Sequence, residues 1–266
     1  YERRKMTFAT GVKSKMWEYQ YKAEDPSFPE IPKITPGESQ PDSERVSSFV
    51  YPGGILAVHA KGRGKDEIWS ALKNKNVYGT SGPRILLWFD LINSPEGQAP
   101  MGSEITMSQN PRFIVRAAGS FKQKPGCSNE SIDSLSAKRL DYLCAGECYN
   151  PSNQREVIEK IEVIKITPQV YAGEAVSPLI QDPWKSIPCQ GKGECIVEFE
   201  DQDFSRDSVY YVRAIQSPTP AINGSPLSQR DNFELCKGSF RTELEDDCLS
   251  MTNERAWSSP IYIDKP

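Results

Sequence analysis

One stretch of the chain has the pattern of a strand, a helix and a second strand. It begins with GGILAVHA (residues 53–60), a short apolar run after two glycines that is typical of a buried strand. In KDEIWSALKNKN (residues 65–76) apolar side chains recur at helical spacing, with acidic residues in the first turn and lysines in the last. PRILLWFDLI (residues 83–92) predicts another buried strand. Together these runs predict a βαβ unit, and therefore a parallel sheet covered on both faces.

Beyond residue 92 the helical signal largely stops. Runs of β-branched and aromatic residues follow, separated by turn-rich loops, and alternation is visible in IEKIEVIKI (residues 158–166). This pattern favours an antiparallel, sandwich-like β domain. The predicted architecture is therefore the end of an α/β domain over residues 1–92, followed by an all-β domain over residues 93–266. Because one βαβ unit cannot cover both faces of its sheet, most of the α/β domain is expected upstream of Tyr1.

Six of the seven cysteines form sequence-local pairs in loops rich in glycine and charge. We interpret these pairs as disulfides that staple loops in an exported protein, of periplasmic or extracellular location. Cys127 is left over: it could be a free thiol, pair with Cys144 or Cys148 instead, or bond to a part of the protein upstream of Tyr1. A zinc site is an alternative use of Cys144, Cys148, Cys189 and Cys195, although structural zinc sites favour closer C-x2-C spacing. The three predicted disulfides are Cys144 with Cys148, Cys189 with Cys195, and Cys236 with Cys248.

Charge and hydropathy argue against two classes of partner. The formal net charge is −4, and basic residues are interspersed with acidic ones rather than gathered in a stripe, which argues against nucleic-acid binding. No segment approaches the roughly 18 consecutive apolar residues of a membrane-spanning helix. With 37% hydrophobic and 26% charged residues, the chain has the composition of a globular protein.

His59 is the only histidine of the chain and stands at the end of the first predicted strand. Active sites of α/β folds lie at the carboxyl ends of such strands. The loop that follows carries Lys61 and Arg63 just ahead of a helix N-terminus, where backbone amides can bind an anion. A catalytic or anion-binding site is one interpretation. The other, which the spacing alone favours, is a strand-end histidine that is hydrogen-bonded to a neighbour, with solvated cations in the loop.

Three stretches carry a resemblance to a known family: GGILAVHAKGRGKDEIWSALKNKNVYGTSGPRILLWFDL (53–91), DSVYYVRAIQSPTPAING (207–224) and DDCLSMTNERAWSSPIYID (246–264). In order along the chain they resemble the C-terminal half of the bacterial domain-of-unknown-function 3604 family, of the PHP (polymerase and histidinol phosphatase) superfamily of metal-dependent phosphoesterases. The resemblance implies a distorted β/α barrel holding divalent zinc, manganese or iron ions, which activate water for the hydrolysis of phosphate esters or related bonds.

The resemblance extends to few individual residues. His59 matches the AVHA position of the family, which implies a metal ligand or a residue beside one. Lys61 and Arg63 match the loop where a substrate anion would bind. The His-x-His and Asp-x-His ligand segments of the superfamily are absent, so the main metal ligands are expected upstream of Tyr1, on the same polypeptide or on a companion chain. Four further matches are interpreted as structural: Tyr78, Thr80, Ser81 and Arg84.

We therefore expect the C-terminal portion of an exported metal-dependent hydrolase that acts on a small anionic substrate and contributes one wall of its active site. The final segment, ERAWSSPIYID (residues 254–264), is expected to return as a last strand near the barrel. The alternative, from another class, is a non-catalytic binding or structural module of the envelope or cell surface.

Overall fold

A computed structural model of the chain describes residues 53–144, 148–222 and 249–266. The described residues contain three α-helices, α1 (Lys65–Lys73), α2 (Asn129–Ser134) and α3 (Ala137–Cys144), and a single 3₁₀ turn at Ser177–Leu179. The strands are β1 (Ile55–Val58), β2 (Val77–Thr80), β3 (Leu86–Ser94), β4 (Gly97–Pro100), β5 (Glu104–Thr106), β6 (Arg112–Ala118), β7 (Phe121–Pro125), β8 (Tyr149–Arg155), β9 (Ile158–Ile166), β10 (Ile180–Pro188), β11 (Glu194–Glu200), β12 (Ser208–Ile222), β13 (Leu249–Ser258) and β14 (Ile261–Asp264).

The larger of the sheets has eight strands and is organised around β12. One edge of this 15-residue strand pairs with β9, which in turn pairs with β10. Its other edge pairs first with β14 and then with β13, and β13 leads on to β2 and β1. Every pairing is antiparallel except that of β14 with β5. The length of β12 therefore allows one strand to join both halves of the sheet.

A smaller antiparallel sheet, in the order β11, β6, β3 and β4, supplies the second layer. Along β3 the side chains of Leu87, Phe89 and Leu91 are fully buried, because alternate residues of a strand point to the same face. They belong to one core with buried residues of β12, among them Tyr210 and Val212. The described residues thus form a two-layer β-sandwich.

The predicted βαβ unit is wrong. β1 pairs with β2 in antiparallel orientation, with Val58 opposite Val77, whereas β3 belongs to the other sheet. Residues 77–80, between helix α1 and β3, form strand β2. These residues are therefore part of a sandwich, and the structure argues against the end of a PHP-type β/α barrel.

Helix α1 forms where the sequence predicts it, but it does not pack as a crossover helix. Only Ala71 of the helix is buried, and Ile68 and Leu72 are 38% and 37% exposed. A helix that covers a parallel sheet would bury this apolar face. After β2, a turn containing Gly82, at φ 145°, directs the chain to the second sheet rather than to a parallel neighbour of β1.

The antiparallel β structure predicted after residue 92 is confirmed by both sandwich sheets. The proposed boundary between residues 92 and 93 falls inside β3, and strands from both sides of it share the two sheets. The C-terminal segment pairs with an early strand of the larger sheet, where Ala256 of β13 lies opposite Thr80 of β2, and the described residues form no barrel for it to pack near.

The aromatic part of the core is centred on Phe113 of β6. Its ring centroid lies 5.3 Å from that of Phe89, 5.0 Å from that of Phe199 and 4.8 Å from that of Tyr210. Tyr210 belongs to the larger sheet and the other rings to the smaller one. Phe113 therefore links the two layers at the middle of the sandwich.

Candidate functional site

His59 lies directly after β1, and hydrogen bonds hold both its backbone and its ring. Its backbone N–H donates to the carbonyl of Asn76 at 2.9 Å. Its Nε2 lies 2.8 Å from the carbonyl oxygen of Leu87 in β3. Because a carbonyl can only accept, Nε2 carries a ring proton, and in the neutral imidazole Nδ1 is then the nitrogen with the lone pair. The ring is half-buried between Tyr78 and Trp88, at centroid distances of 5.2 and 5.7 Å.

This tautomer has a chemical consequence. Histidines that bind metals usually donate their second ring nitrogen to a carbonyl or carboxylate, which fixes the ring and leaves the other nitrogen free to coordinate. A neutral imidazole held in this way can also accept a proton. Among the described residues, Nδ1 of His59 has no hydrogen-bond partner. The arrangement therefore suits a ligand or a base, and it equally satisfies the histidine as a structural residue.

Three residues beside His59 were not singled out from the sequence. These residues are Trp88, Asp90 and Arg116. The Arg116 guanidinium lies 5.9 Å from the centroid of the Trp88 ring, and this ring also contacts His59. Arg116 also donates to the largely buried carboxylate of Asp90 at 3.2 Å. Trp88 and Asp90 lie on the opposite face of β3 from Leu87 and Phe89, and this alternation was the signal that could have grouped the two side chains.

The loop after His59 presents Lys61 and Arg63 to solvent, and neither forms an ion pair with a described residue. The N-terminus of α1 is less open than expected. Gly64, its N-cap, offers no side-chain cap, and the carboxylate of Glu67 lies against Gly64 and Gly62. An acidic residue at the third helical position commonly folds back in this way. The carboxylate of Glu67 therefore already occupies the N-terminus of α1. An anion that binds here would contact Lys61 and Arg63 of the loop.

The Tyr78–Arg84 segment contains the end of β2 and the turn that follows it, and its contacts are structural. Ser81 donates its hydroxyl to the carboxylate of Glu254, and its backbone N–H donates to the carbonyl of Arg255 at 2.9 Å. The Arg255 N–H donates back to the Ser81 hydroxyl at 2.9 Å. Burial raises the pKa of the Tyr78 phenol, which therefore stays neutral at ordinary pH. These bonds fix the turn to β13, while Arg84 stays exposed.

A second polar cluster is closed within the sandwich. Lys165 pairs with the carboxylate of Asp201, which also accepts from the hydroxyl of Tyr210 at 2.5 Å and from the Asp203 N–H at 3.1 Å. Asp201 is 1% exposed, and burial, followed by the bond to Asp201, raises the pKa of Tyr210. The Lys165 ammonium also lies 5.3 Å from the Trp184 ring. Because its groups satisfy one another, we assign this cluster to stability.

An open polar cleft of about 430 Å³ lies at the C-terminal end of α1. Residues 73–76 form one side of it, and residues 102–104 contribute to the other. Lys75 pairs with Glu104 at 2.5 Å across the cleft. Ligand sites are usually concave and largely apolar with a few polar groups, and this cleft lacks the apolar wall.

Two of the cysteine pairings can be compared with the structure. Cys189 and Cys195 are disulfide-bonded, as predicted. Cys148 is bonded to Cys127, which was the pairing left open, so the pairing of Cys148 with Cys144 is wrong. A zinc site that uses Cys148, Cys189 and Cys195 is excluded because their sulfurs are already bonded. The Cys236–Cys248 pairing lies outside the described residues.

The two disulfides indicate an oxidising compartment rather than the cytoplasm. In the part of the chain that the structure describes, no helix has the length and apolar character needed to cross a membrane. In the same part, no group of three or more His, Cys, Asp or Glu side chains comes together in a way that could hold a metal ion.

Removal of the Cys127–Cys148 disulfide is expected to open strands β7 and β8. The bond closes a 21-residue separation, worth about 3 kcal/mol in the chain-entropy account. A two-stranded ribbon is marginal without such support. In a Cys127→Ser/Cys148→Ser variant, protection from amide hydrogen exchange in β7 and β8 should fall about 100-fold. Cys189→Ser/Cys195→Ser is the matched control, and unchanged ribbon protection in the first variant would contradict this prediction.

The described residues thus define an antiparallel β-sandwich of an oxidising compartment, with a fixed histidine at one edge. The family described as "Protein of unknown function (DUF3604)" matches residues 10–125 and 185–265, and the chain belongs to this family. The resemblance to the DUF3604 family seen in the sequence is thereby confirmed. None of the curated proteins and none of the solved structures compared matches the chain significantly.

Proposed function

We propose that the chain forms the C-terminal portion of an exported, PHP-superfamily metal-dependent hydrolase, phosphoesterase-like in activity. In this proposal His59 and the loop after it form one wall of the active site. The observation that carries the proposal is the hydrogen bond from His59 Nε2 to the Leu87 carbonyl, which leaves Nδ1 available. Membership of the DUF3604 family agrees with the resemblance from which the activity was inferred.

The described residues do not by themselves fit a catalytic metal. One imidazole is a single ligand, and no cluster of donors accompanies it among those residues. We therefore propose that zinc, manganese or iron is held mainly by residues upstream of Tyr1 or on a companion chain, where it would activate water. His59 then either adds one ligand or accepts a hydrogen bond at Nδ1. Lys61 and Arg63 attract and orient a small anionic substrate such as a phosphate ester.

Substitution of His59 tests this proposal. His59→Gln keeps an N–H that can reach the Leu87 carbonyl but removes the nitrogen at the Nδ1 position. In the native, metal-loaded protein, kcat/KM for p-nitrophenyl phosphate or bis-p-nitrophenyl phosphate should fall at least about tenfold, a change of about 1.4 kcal/mol in transition-state stabilisation. The melting temperature should stay near that of the unsubstituted protein, because the bond to Leu87 is kept.

Two controls separate catalysis from folding. Arg84→Gln removes an exposed cation away from the loop and should leave kcat/KM unchanged. His59→Leu should lower the melting temperature, because it leaves the Leu87 carbonyl without its donor. Full activity in His59→Gln, or a native protein that contains neither a bound transition metal nor phosphoesterase activity, would overturn the proposal.

A non-catalytic binding module is the second candidate, and one observation favours it. Several large side chains outside the sandwich are strongly exposed, among them Tyr142 at 76%, Tyr149 at 49% and Phe121 at 41%. Aromatic side chains at a surface are common contact points for partners and ligands. These side chains belong to a part of the chain other than His59 and its loop, so binding through them would not require the proposed hydrolase site.

A further inference from the structure

Strands β7 and β8 form a two-stranded ribbon that belongs to neither sandwich sheet. All five residues of β7 are exposed, and no residue of β8 is buried. The ribbon therefore adds little to the core, and the Cys127–Cys148 disulfide closes its end. The family match stops at residue 125 and resumes at residue 185, so β8 and the helices α2 and α3 lie in a part that the family does not cover. An exposed element of this kind, which contributes little to the core, is a candidate ligand-binding surface.

The ribbon is basic although the chain as a whole is acidic. FKQKP and YNPSNQR, the sequences of its two strands, contain Lys122, Lys124 and Arg155 and no acidic residue, whereas the net charge of the chain is −4. Lys122 and Lys124 are exposed and form no ion pair with a described residue. Uncompensated cations that are gathered on one element attract an anionic ligand.

One face of the ribbon also carries two exposed aromatic rings. Phe121 lies opposite Arg155, and Tyr149 lies opposite Pro125. Paired residues of antiparallel strands share a face. The irregularity of the ribbon adds its extra residues to β8 and not to β7, so residues four apart along β7 share a face and both rings are on the same side, separated by about 13 Å. The Arg155 guanidinium lies 4.1 Å from the Phe121 ring. The electron-rich faces of aromatic rings suit the C–H groups of a sugar ring. Arg155 is close by for an acidic substituent of that sugar.

The edges of the ribbon disfavour the addition of a strand from another protein. Lys122, Lys124 and Pro125 lie in β7, Pro151 lies in β8, and the pairing is irregular between Phe121 and Gln123. Charged residues, prolines and bulges are the features by which exposed edges avoid pairing. A ligand is therefore expected to use the faces of the ribbon. The disulfides place the protein outside the cytoplasm, which disfavours nucleic acid as that ligand.

We propose that this ribbon binds an acidic polysaccharide. Phe121 and Tyr149 provide platforms for sugar rings, and Arg155 contacts the carboxylate or sulfate groups from the same face. Lys122 and Lys124, on the opposite face, add attraction through their long side chains. The binding is independent of the proposed hydrolase, since it uses neither His59 nor a metal ion.

Affinity electrophoresis of the full chain tests the proposal. Polygalacturonate supplies carboxylates, dextran sulfate supplies sulfates, and neutral dextran is the uncharged control. At least one acidic polymer should retard the protein, dextran should not, and retardation should fall as salt increases. The dissociation constant should rise about fivefold or more in Lys122→Gln/Lys124→Gln, since two exposed ion pairs are lost. Tyr149→Ala should weaken binding without removing salt dependence.

Lys65→Gln/Lys73→Gln is the matched control, because it removes two exposed lysines from α1. This control should bind as the unsubstituted chain does. All variants should keep the melting temperature of the unsubstituted chain. Retardation by neither acidic polymer, or equal retardation of the ribbon and control variants, would overturn the proposal. Tighter binding to phosphatidylglycerol vesicles than to either polymer, lost in the same ribbon variants, would also overturn it and assign the ribbon to a membrane surface.

Discussion

Replacement of Asp201 by alanine is expected to lower the free energy of unfolding by about 3–5 kcal/mol, the cost of leaving a buried charge without its partner. Asp201 is the shared acceptor of Lys165, Tyr210 and the Asp203 backbone, and both side-chain partners are enclosed by the sandwich. Its removal leaves the Lys165 ammonium without a counter-ion and the Tyr210 hydroxyl without an acceptor. Urea unfolding followed by tryptophan fluorescence measures the change.

Two variants show whether burial is the cause. Glu104→Ala breaks an ion pair with Lys75 whose side chains are 64% and 48% exposed, and it should change stability by less than about 1 kcal/mol. Lys165→Met in the Asp201→Ala background should recover part of the loss, because it removes the unpaired charge. If Asp201→Ala and Glu104→Ala cost the same, the cluster does not stabilise the sandwich as described.

Phe113→Ala is the other substitution with a large expected effect, about 3–5 kcal/mol of destabilisation. The Phe113 ring is fully buried and contacts aromatic rings from both sheets, so its removal leaves a cavity between the layers that neither sheet can close alone. The measurement is the midpoint of urea unfolding at constant m-value.

Phe113→Leu is the matched control. It keeps most of the buried volume and loses mainly the ring contacts, so it should cost less than about half as much as alanine. Ile196→Ala removes a 66% exposed side chain from β11 and should have little effect. If Phe113→Ala unfolds at the same urea concentration as Ile196→Ala, the sandwich does not depend on this aromatic centre.

Local patterns predicted the secondary structure better than its arrangement. The alternation in residues 158–166 correctly indicated β9, whose Ile161 and Val163 are fully buried. The helical spacing of residues 65–76 likewise located α1. The pairing of the strands that flank α1 was not predicted. Strand β2 is only four residues long and contains a glycine, and its second partner is β13, far along the chain. A pattern within 40 residues carries no signal for such a pairing.

The candidate site was likewise predicted in its local features but not in its long-range contacts. The position of His59 after a strand was visible in the sequence, but the Leu87 carbonyl that fixes its tautomer belongs to the other sheet. Arg116 approaches through Trp88 and is likewise distant in sequence. Cysteine pairing failed for a related reason. Cys144 is the nearer partner of Cys148 along the chain, yet the ribbon brings Cys127 to a Cα distance of 4.8 Å.

The position of β13 has a consequence for the timing of folding. The strand at residues 249–258 lies between β2, at residues 77–80, and β12, at residues 208–222. During synthesis, both neighbours emerge before the strand that must separate them, and their edges stay unpaired until it arrives. Closure of the larger sheet is therefore a late, long-range event, which slows folding and exposes strand edges meanwhile.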